Sequence, residues 1–127
     1  MLEIGITGRQ ETTVDKSNTA LAMGSGELEV FATPAMIALA EKTAWMSVAD
    51  ELEEGDGTVG TRIDVRHLSA TPVGKTVWCE SRLISIDRKK LVFHVEIYDE
   101  AGKIGEGEHE RFIVNNQSFF EKASNKM

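Results

Sequence analysis

Between Phe31 and Leu52 the sequence reads FATPAMIALAEKTAWMSVADEL, a stretch that is almost wholly apolar and carries one acid, Glu41, near its middle. Pro34 is pre-set for a first helical position, Thr33 before it can cap the freed amides, and neither glycine nor proline interrupts the rest; one long helix is predicted. Its apolar residues, among them Met36, Ile37, Leu39, Trp45 and Val48, surround the cylinder and form no single stripe, so burial on several sides is expected. A carboxylate there must be paired or hold a raised pKa. Both conditions are common in catalytic acids and bases.

Around this helix the pattern has another period. Leu2 to Val14 alternates enough to be a strand, and Asp15 to Glu29, with Asn18, Gly24, Ser25 and Gly26, reads as a flexible connection covering the helix entrance. Gly55 is placed to end the helix. From Thr58 onward, Val59, Thr61, Ile63, Val65 and His67 fall on one strand face, with Arg62, Asp64, Arg66 and Leu68 on the other. After a break at Ser69 to Lys75, strands follow at Thr76 to Asp87, Lys90 to Tyr98 and Lys103 to Val114, and Asn115 can cap a short terminal helix with a frayed polar tail. The sum is an α+β chain, an antiparallel sheet wrapped around one long central helix. One such layer leaves the helix partly uncovered, and an oligomer is the natural remedy.

The 127 residues, 41% apolar and 28% charged, fit a single domain spanning 1–127. A net charge of -7 argues against general binding to nucleic acid or acidic membranes. The opening residues do not read as a signal peptide and no apolar run is long enough to span a bilayer, so a cytoplasmic location is expected. The lone Cys79 excludes an internal disulfide and reads as a buried filler. His94 and His109 show no ligand spacing, so neither metal nor cofactor is expected. For His109, beside Glu110 and Arg111, a structural ion pair is the favoured use.

Three polar residues are assigned to apolar surroundings: Thr33, Glu41 and His67. Singly, each has an ordinary use, as a helix cap, a rim acid and a satisfied core histidine. Together they suggest chemistry. Thr33 and Glu41 lie eight residues apart, which separates their backbones by about 12 Å along a helix axis. Either Thr33 folds back on a loop, or the site pairs Thr33 of one subunit with Glu41 of another across a two-fold axis, which is preferred. The helix N-terminus also suits a developing oxyanion.

The segments VFATPAMIALAE, GDGTVGTRIDVRHLSATPVG and IGEGEHERFIV resemble the hot-dog-fold thioesterases, most closely the fluoroacetyl-CoA thioesterase subgroup, from about Glu29 to Phe120. The resemblance implies a hot-dog fold, an acyl-CoA substrate and a catalytic set of Thr33, Glu41 and His67. It further implies that Gly60 supplies backbone near the thioester and that Arg111 lies close to the site. The subgroup's phenylalanine gate before the helix is missing, since Ala22 to Glu27 holds no aromatic; a general short-acyl role is therefore expected.

The leading expectation is hydrolysis of a small acyl-CoA by a homodimer or dimer of dimers. Glu41 attacks the carbonyl or activates water, His67 orients it and moves the proton, and Thr33 with nearby amides holds the oxyanion. Arg62, Arg66, Lys75, Arg88, Lys89 and Lys90 are the supply of cations for the CoA phosphates. The competing readings are a non-catalytic acyl-CoA or acyl-carrier binding protein and, less favoured, a hydratase or dehydratase on the same scaffold.

Overall fold

The computed structural model describes residues 1–126, and the polar tail expected at the C-terminus includes residue 127, which lies outside them. The elements are β1 (Thr7–Thr13), α1 (Ala20–Met23), α2 (Thr33–Val48), β2 (Asp56–His67), β3 (Thr76–Asp87), β4 (Lys90–Asp99), β5 (Gly102–Asn115) and α3 (Asn116–Ser124), with a 3-10 turn at Ala49–Glu51 after α2. The strands form one antiparallel sheet in the order β1-β3-β4-β5-β2. Both β1 and β2 are therefore edges.

The strand faces follow the alternation. Inward residues of β3 and β4, such as Val77, Leu83, Phe93, Val95 and Ile97, are fully buried and meet Met36, Leu39, Ala40, Ala44 and Val48 of α2. At about 25 cal/mol per Å² this apolar contact is the main force holding sheet to helix. The helix packs tightly at Gly8 of β1, where a Cβ would come within 2.7 Å of the Ser47 Cβ, and at Gly105 of β5, where one would come within 2.7 Å of Met36 Sδ.

Four expectations are corrected. β1 begins at Thr7, not Leu2, because Gly5 turns the backbone at φ +102°. The stretch before α2 contains a short helix: Thr19 caps α1 through its hydroxyl, 3.1 Å from the Ala22 amide, and Gly24 ends it at φ +71°. In one chain α2 is buried along one face only, and Ala38, Trp45 and Met46 on the other are exposed. Finally, β2 carries a bulge between Gly60 and Arg62. Thr61 is the extra residue, so Val59 and Thr61 do not continue the row of Ile63, Val65 and His67. Gly60 and Thr58 replace them on the face toward α2.

Candidate active site

The inner face of β2 carries two separate groups. At the C-terminal end of the strand, Thr33 Oγ1 lies 2.7 Å from His67 Nδ1. Thr33 thus does not cap its helix: the N-cap is Ala32, without a side-chain bond, and Pro34 needs no partner for a missing amide. Its hydroxyl is spent on the histidine. The other ring nitrogen, His67 Nε2, is buried with no hydrogen-bond partner. Burial lowers the His67 pKa from the ordinary imidazole value, against a weaker opposite effect from the Ser69 backbone. The ring is therefore held neutral near pH 7. A pocket of about 320 Å³ opens beside the pair, lined by residues that include Ala20, Ser25, Val30 and Phe31. Its roof is the segment around α1.

At the other end of β2 stands Glu41. Its side chain is 42% exposed and its Oε2 lies 4.0 Å from Arg111 Nη1. Of the two readings of this acid, buried or on the rim, the single chain gives a half-exposed one, and Glu41 does not pair with His67. Arg111 itself is buried. It donates from Nε to Thr58 Oγ1 at 2.7 Å and from Nη2 to the Thr58 carbonyl at 2.9 Å. Gly60 faces Glu41 directly, and a Cβ there would meet Glu41 Oε2 at 2.8 Å, His109 Cε1 at 3.2 Å and Arg111 Nη1 at 3.3 Å. Only glycine leaves that space to the carboxylate.

His109 completes this group in a way the sequence did not suggest. It is fully buried, with Nδ1 2.8 Å from the Arg62 carbonyl and Nε2 3.0 Å from Arg111 Nη1. A carbonyl only accepts and a guanidinium only donates. Nδ1 must therefore carry the proton and Nε2 must be the acceptor. His109 is a neutral strut for Arg111, not a member of an ion pair, and burial lowers its pKa in the same sense. The available signal was the i, i+2 spacing of His109 and Arg111, which puts both on the inner face. Thr58 was missed because the bulge hides its face.

The structure thus brings Thr33 to His67 and Glu41 to Gly60 and Arg111, and it does not bring the two sets together within a chain. Elsewhere, on the outer sheet face, His94, Glu96 and Glu106 converge with ligand-type atoms within 4.8 Å of one another. Lys103 supplies the positive charge there, 3.3 Å from Glu106 and 3.7 Å from Glu96, while the Tyr98 hydroxyl donates to Glu96. This grouping pairs an i, i+2 set on β4 with a residue of β5, a pattern that spacing along one strand does not reveal.

A family model described as fluoroacetyl-CoA-specific thioesterase matches residues 14–117. A fluoroacetyl-CoA thioesterase of Streptantibioticus cattleyicolor is 39% identical over 98 residues, 77% of this chain and 70% of that protein. A solved structure of the fluoroacetyl-CoA thioesterase superposes with a TM-score of 0.93 at 32% identity, over 100% of this chain and 98% of that one. A mutant of that enzyme in complex with fluoroacetate and CoA gives a TM-score of 0.87 at 31% identity, over 93% and 99% of the two chains. A thioesterase superfamily member from Thermus thermophilus gives 0.88 at 25% identity, over 99% and 96%. The fold is the expected hot-dog arrangement.

Proposed function

The chain belongs to the fluoroacetyl-CoA-specific thioesterase family, and from that membership we propose that it hydrolyses a small acyl-CoA thioester to a free acid and CoA. The observation that carries the proposal is the separation of two half-sites along one edge strand: Thr33 with His67, and Glu41 with Gly60 and Arg111. Each holds part of what thioester hydrolysis needs. Neither suffices.

Two copies complete each other. The outer edge of β2 has no strand beside it, and a second β2 can pair there in antiparallel fashion. An axis at Ile63 lays His67 of one copy beside the Thr58 to Gly60 stretch of the other. The site then unites the hydroxyl–imidazole pair of one chain with the carboxylate of its mate. Glu41 either attacks the thioester carbonyl or takes the proton of an attacking water. His67, neutral and with Nε2 free, transfers the proton that the departing thiolate of CoA accepts. The Thr33 hydroxyl donates to His67 Nδ1 and so keeps the ring proton on Nε2, and the amides at the start of α2 face the carbonyl oxygen as it gains charge. One water is consumed, the C–S bond breaks, and acid and thiol result.

Around the acyl group, Ala20, Ser25, Val30 and Phe31 offer small and apolar walls with no aromatic contributed by residues 20–29. A short acyl chain suits this lining. The test is thiol release from acyl-CoAs of graded chain length, with Glu41→Gln as control. Release that falls by about a hundredfold or more in the variant supports the assignment; wild-type rates in Glu41→Gln refute it. Tight CoA-thioester binding without turnover would instead make the protein an acyl-CoA carrier or sensor.

A further inference from the structure

One row of the outer sheet face crosses every strand. Arg9, Glu80, Glu96, Glu106 and Arg66 stand opposite one another on β1, β3, β4, β5 and β2. Three glutamates are therefore direct cross-strand neighbours, with arginines only at the two ends. Like charges placed opposite one another weaken a sheet. The register cannot relieve them, because a slip of one residue would turn the buried rows outward. Arg9 does not help either, since it pairs with Glu11 at 2.9 Å and lies over the Trp78 ring. A local conflict of this kind is expected where a chain has a use for it.

His94 points to that use. It precedes Glu96 by two residues on β4 and so shares its face, with Nε2 2.8 Å from Glu96 Oε2. With Glu106 the pair brings three ligand-type atoms within 4.8 Å of one another, the only such group among the described residues. Donors in a tetrahedral zinc site stand roughly 3.4 Å apart, so side-chain rotation closes the set. A carboxylate only accepts, and His94 Nε2 therefore carries a proton toward Glu96. A metal takes the line of that proton, which passes to Nδ1 or to solvent. Glu96 is held by its other oxygen, which accepts from the Tyr98 hydroxyl, and the Tyr98 ring is stacked on Trp78 at 5.7 Å. Outer hydrogen bonds of this sort orient the carboxylates of metal sites. Lys103 is the resident cation, 3.3 Å from Glu106 and 3.7 Å from Glu96. It brings a single charge on a flexible stem to two carboxylates, and Glu108 opposite His94 adds a third.

We infer that His94, Glu96 and Glu106 bind a divalent cation of borderline softness, Zn2+ in the first place, which displaces Lys103 and ties β4 to β5. Imidazole with carboxylate oxygen suits zinc, whereas magnesium and calcium favour oxygen alone. Three protein donors leave a position for water, and depressions of about 520 and 320 Å³, both lined in part by His94, give access to it. The site is on the sheet face turned away from Glu41, Gly60 and Arg111, and it does not depend on the thioesterase reading. Calorimetry of untagged, chelator-treated protein with zinc chloride tests it. One Zn2+ binds per chain with a Kd on the order of micromolar, and its binding raises the melting temperature. Tyr98→Phe, which removes only the hydroxyl that orients Glu96, weakens binding about tenfold. His94→Ala and Glu106→Gln weaken it further, Lys103→Gln tightens it, and His67→Ala on the other face leaves it unchanged. A wild type without saturable zinc binding overturns the site, as does binding that survives His94→Ala or is lost in His67→Ala. Binding that appears only in Lys103→Gln overturns it as well, because Lys103 is then the permanent counter-ion of the two glutamates.

Discussion

Mixing two dead variants gives the sharpest test of the split site. Thr33→Ala removes the hydroxyl that meets His67 at 2.7 Å, and Glu41→Gln removes the carboxylate beside Arg111. On one helix the two positions are about 12 Å apart, too far to serve one carbonyl. In a heterodimer that carries one substitution on each chain, one of the two sites loses both groups and the other keeps both. Purified through two different affinity tags, such a heterodimer should show about half of wild-type kcat, while each homodimer is lowered by two orders of magnitude or so. Thiol release under saturating acyl-CoA measures all three. If Thr33 and Glu41 of the same chain worked together, every site in the heterodimer would lack one of them. Activity no higher than that of the homodimers would then refute the cross-subunit arrangement, provided size-exclusion chromatography shows the heterodimer intact.

His109→Leu leaves the Arg62 carbonyl and Arg111 Nη1 without their partner, costing about 2–4 kcal/mol in urea unfolding; His109→Gln, which can both donate and accept, recovers most of this and of kcat. Wild-type stability in His109→Leu would remove the strut. Gly60→Ala forces a Cβ to 2.8 Å from Glu41 Oε2 and should lower kcat by displacing the carboxylate, an effect absent from Gly8→Ala even though that residue packs more tightly on α2. Both His67 and His109 have folded pKa values below the ordinary 6.5, so the unfolded chain binds more protons between the two values. Stability is complete above about pH 6.5 and is lost as pH falls through the folded values; a melting temperature that rises on acidification from pH 6.5 to 5 would contradict this. Activity should fall over the same acid range as His67 gains its proton.

Much of the sheet was readable because its strands repeat a two-residue period without interruption. β3 spans the predicted residues, β4 runs one residue beyond expectation at its C-terminal end, and β5 runs one residue beyond it at each end. The failures have local causes. One glycine conformation shortens β1, and one extra residue in β2 exchanges Thr61 for Gly60 on the inner face. No period-based reading sees a bulge, since the register shift is set by what stands across the strand pair. Thr33 looked like a cap because residue type and position both suited capping, but the helix begins one residue earlier, with Ala32 as its N-cap, and the Thr33 hydroxyl is engaged with His67. Conversely, His109 looked like an ion-pair member because its neighbours in sequence are charged. Its tautomer follows from the Arg62 carbonyl, 47 positions away, together with Arg111 Nη1.

The bulge also bears on why an acid is tolerated in an apolar helix. Within one chain Glu41 remains partly in water and stands beside a buried, hydrogen-bonded guanidinium; folding a single chain therefore does not carry the full cost of a desolvated carboxylate. On the split-site reading that cost arises only when β2 edges meet and water leaves, and by then Arg111 is already held by Thr58 and His109. A preordered cation needs no reorganisation as charge moves during the reaction. Trp45 and Met46 on the exposed face of α2 offer apolar area, worth about 25 cal/mol per Å² where a second copy would cover it. Assembly would then drive the desolvation that makes Glu41 reactive, and the chemistry would be confined to the dimer. A chain held monomeric by a proline in β2 at Val65, whose amide alternates with the Leu68 amide that bonds Ile104 and so points to the free edge, should keep its fold and lose thiol release; full activity in a verified monomer would show that Glu41 works without the second copy.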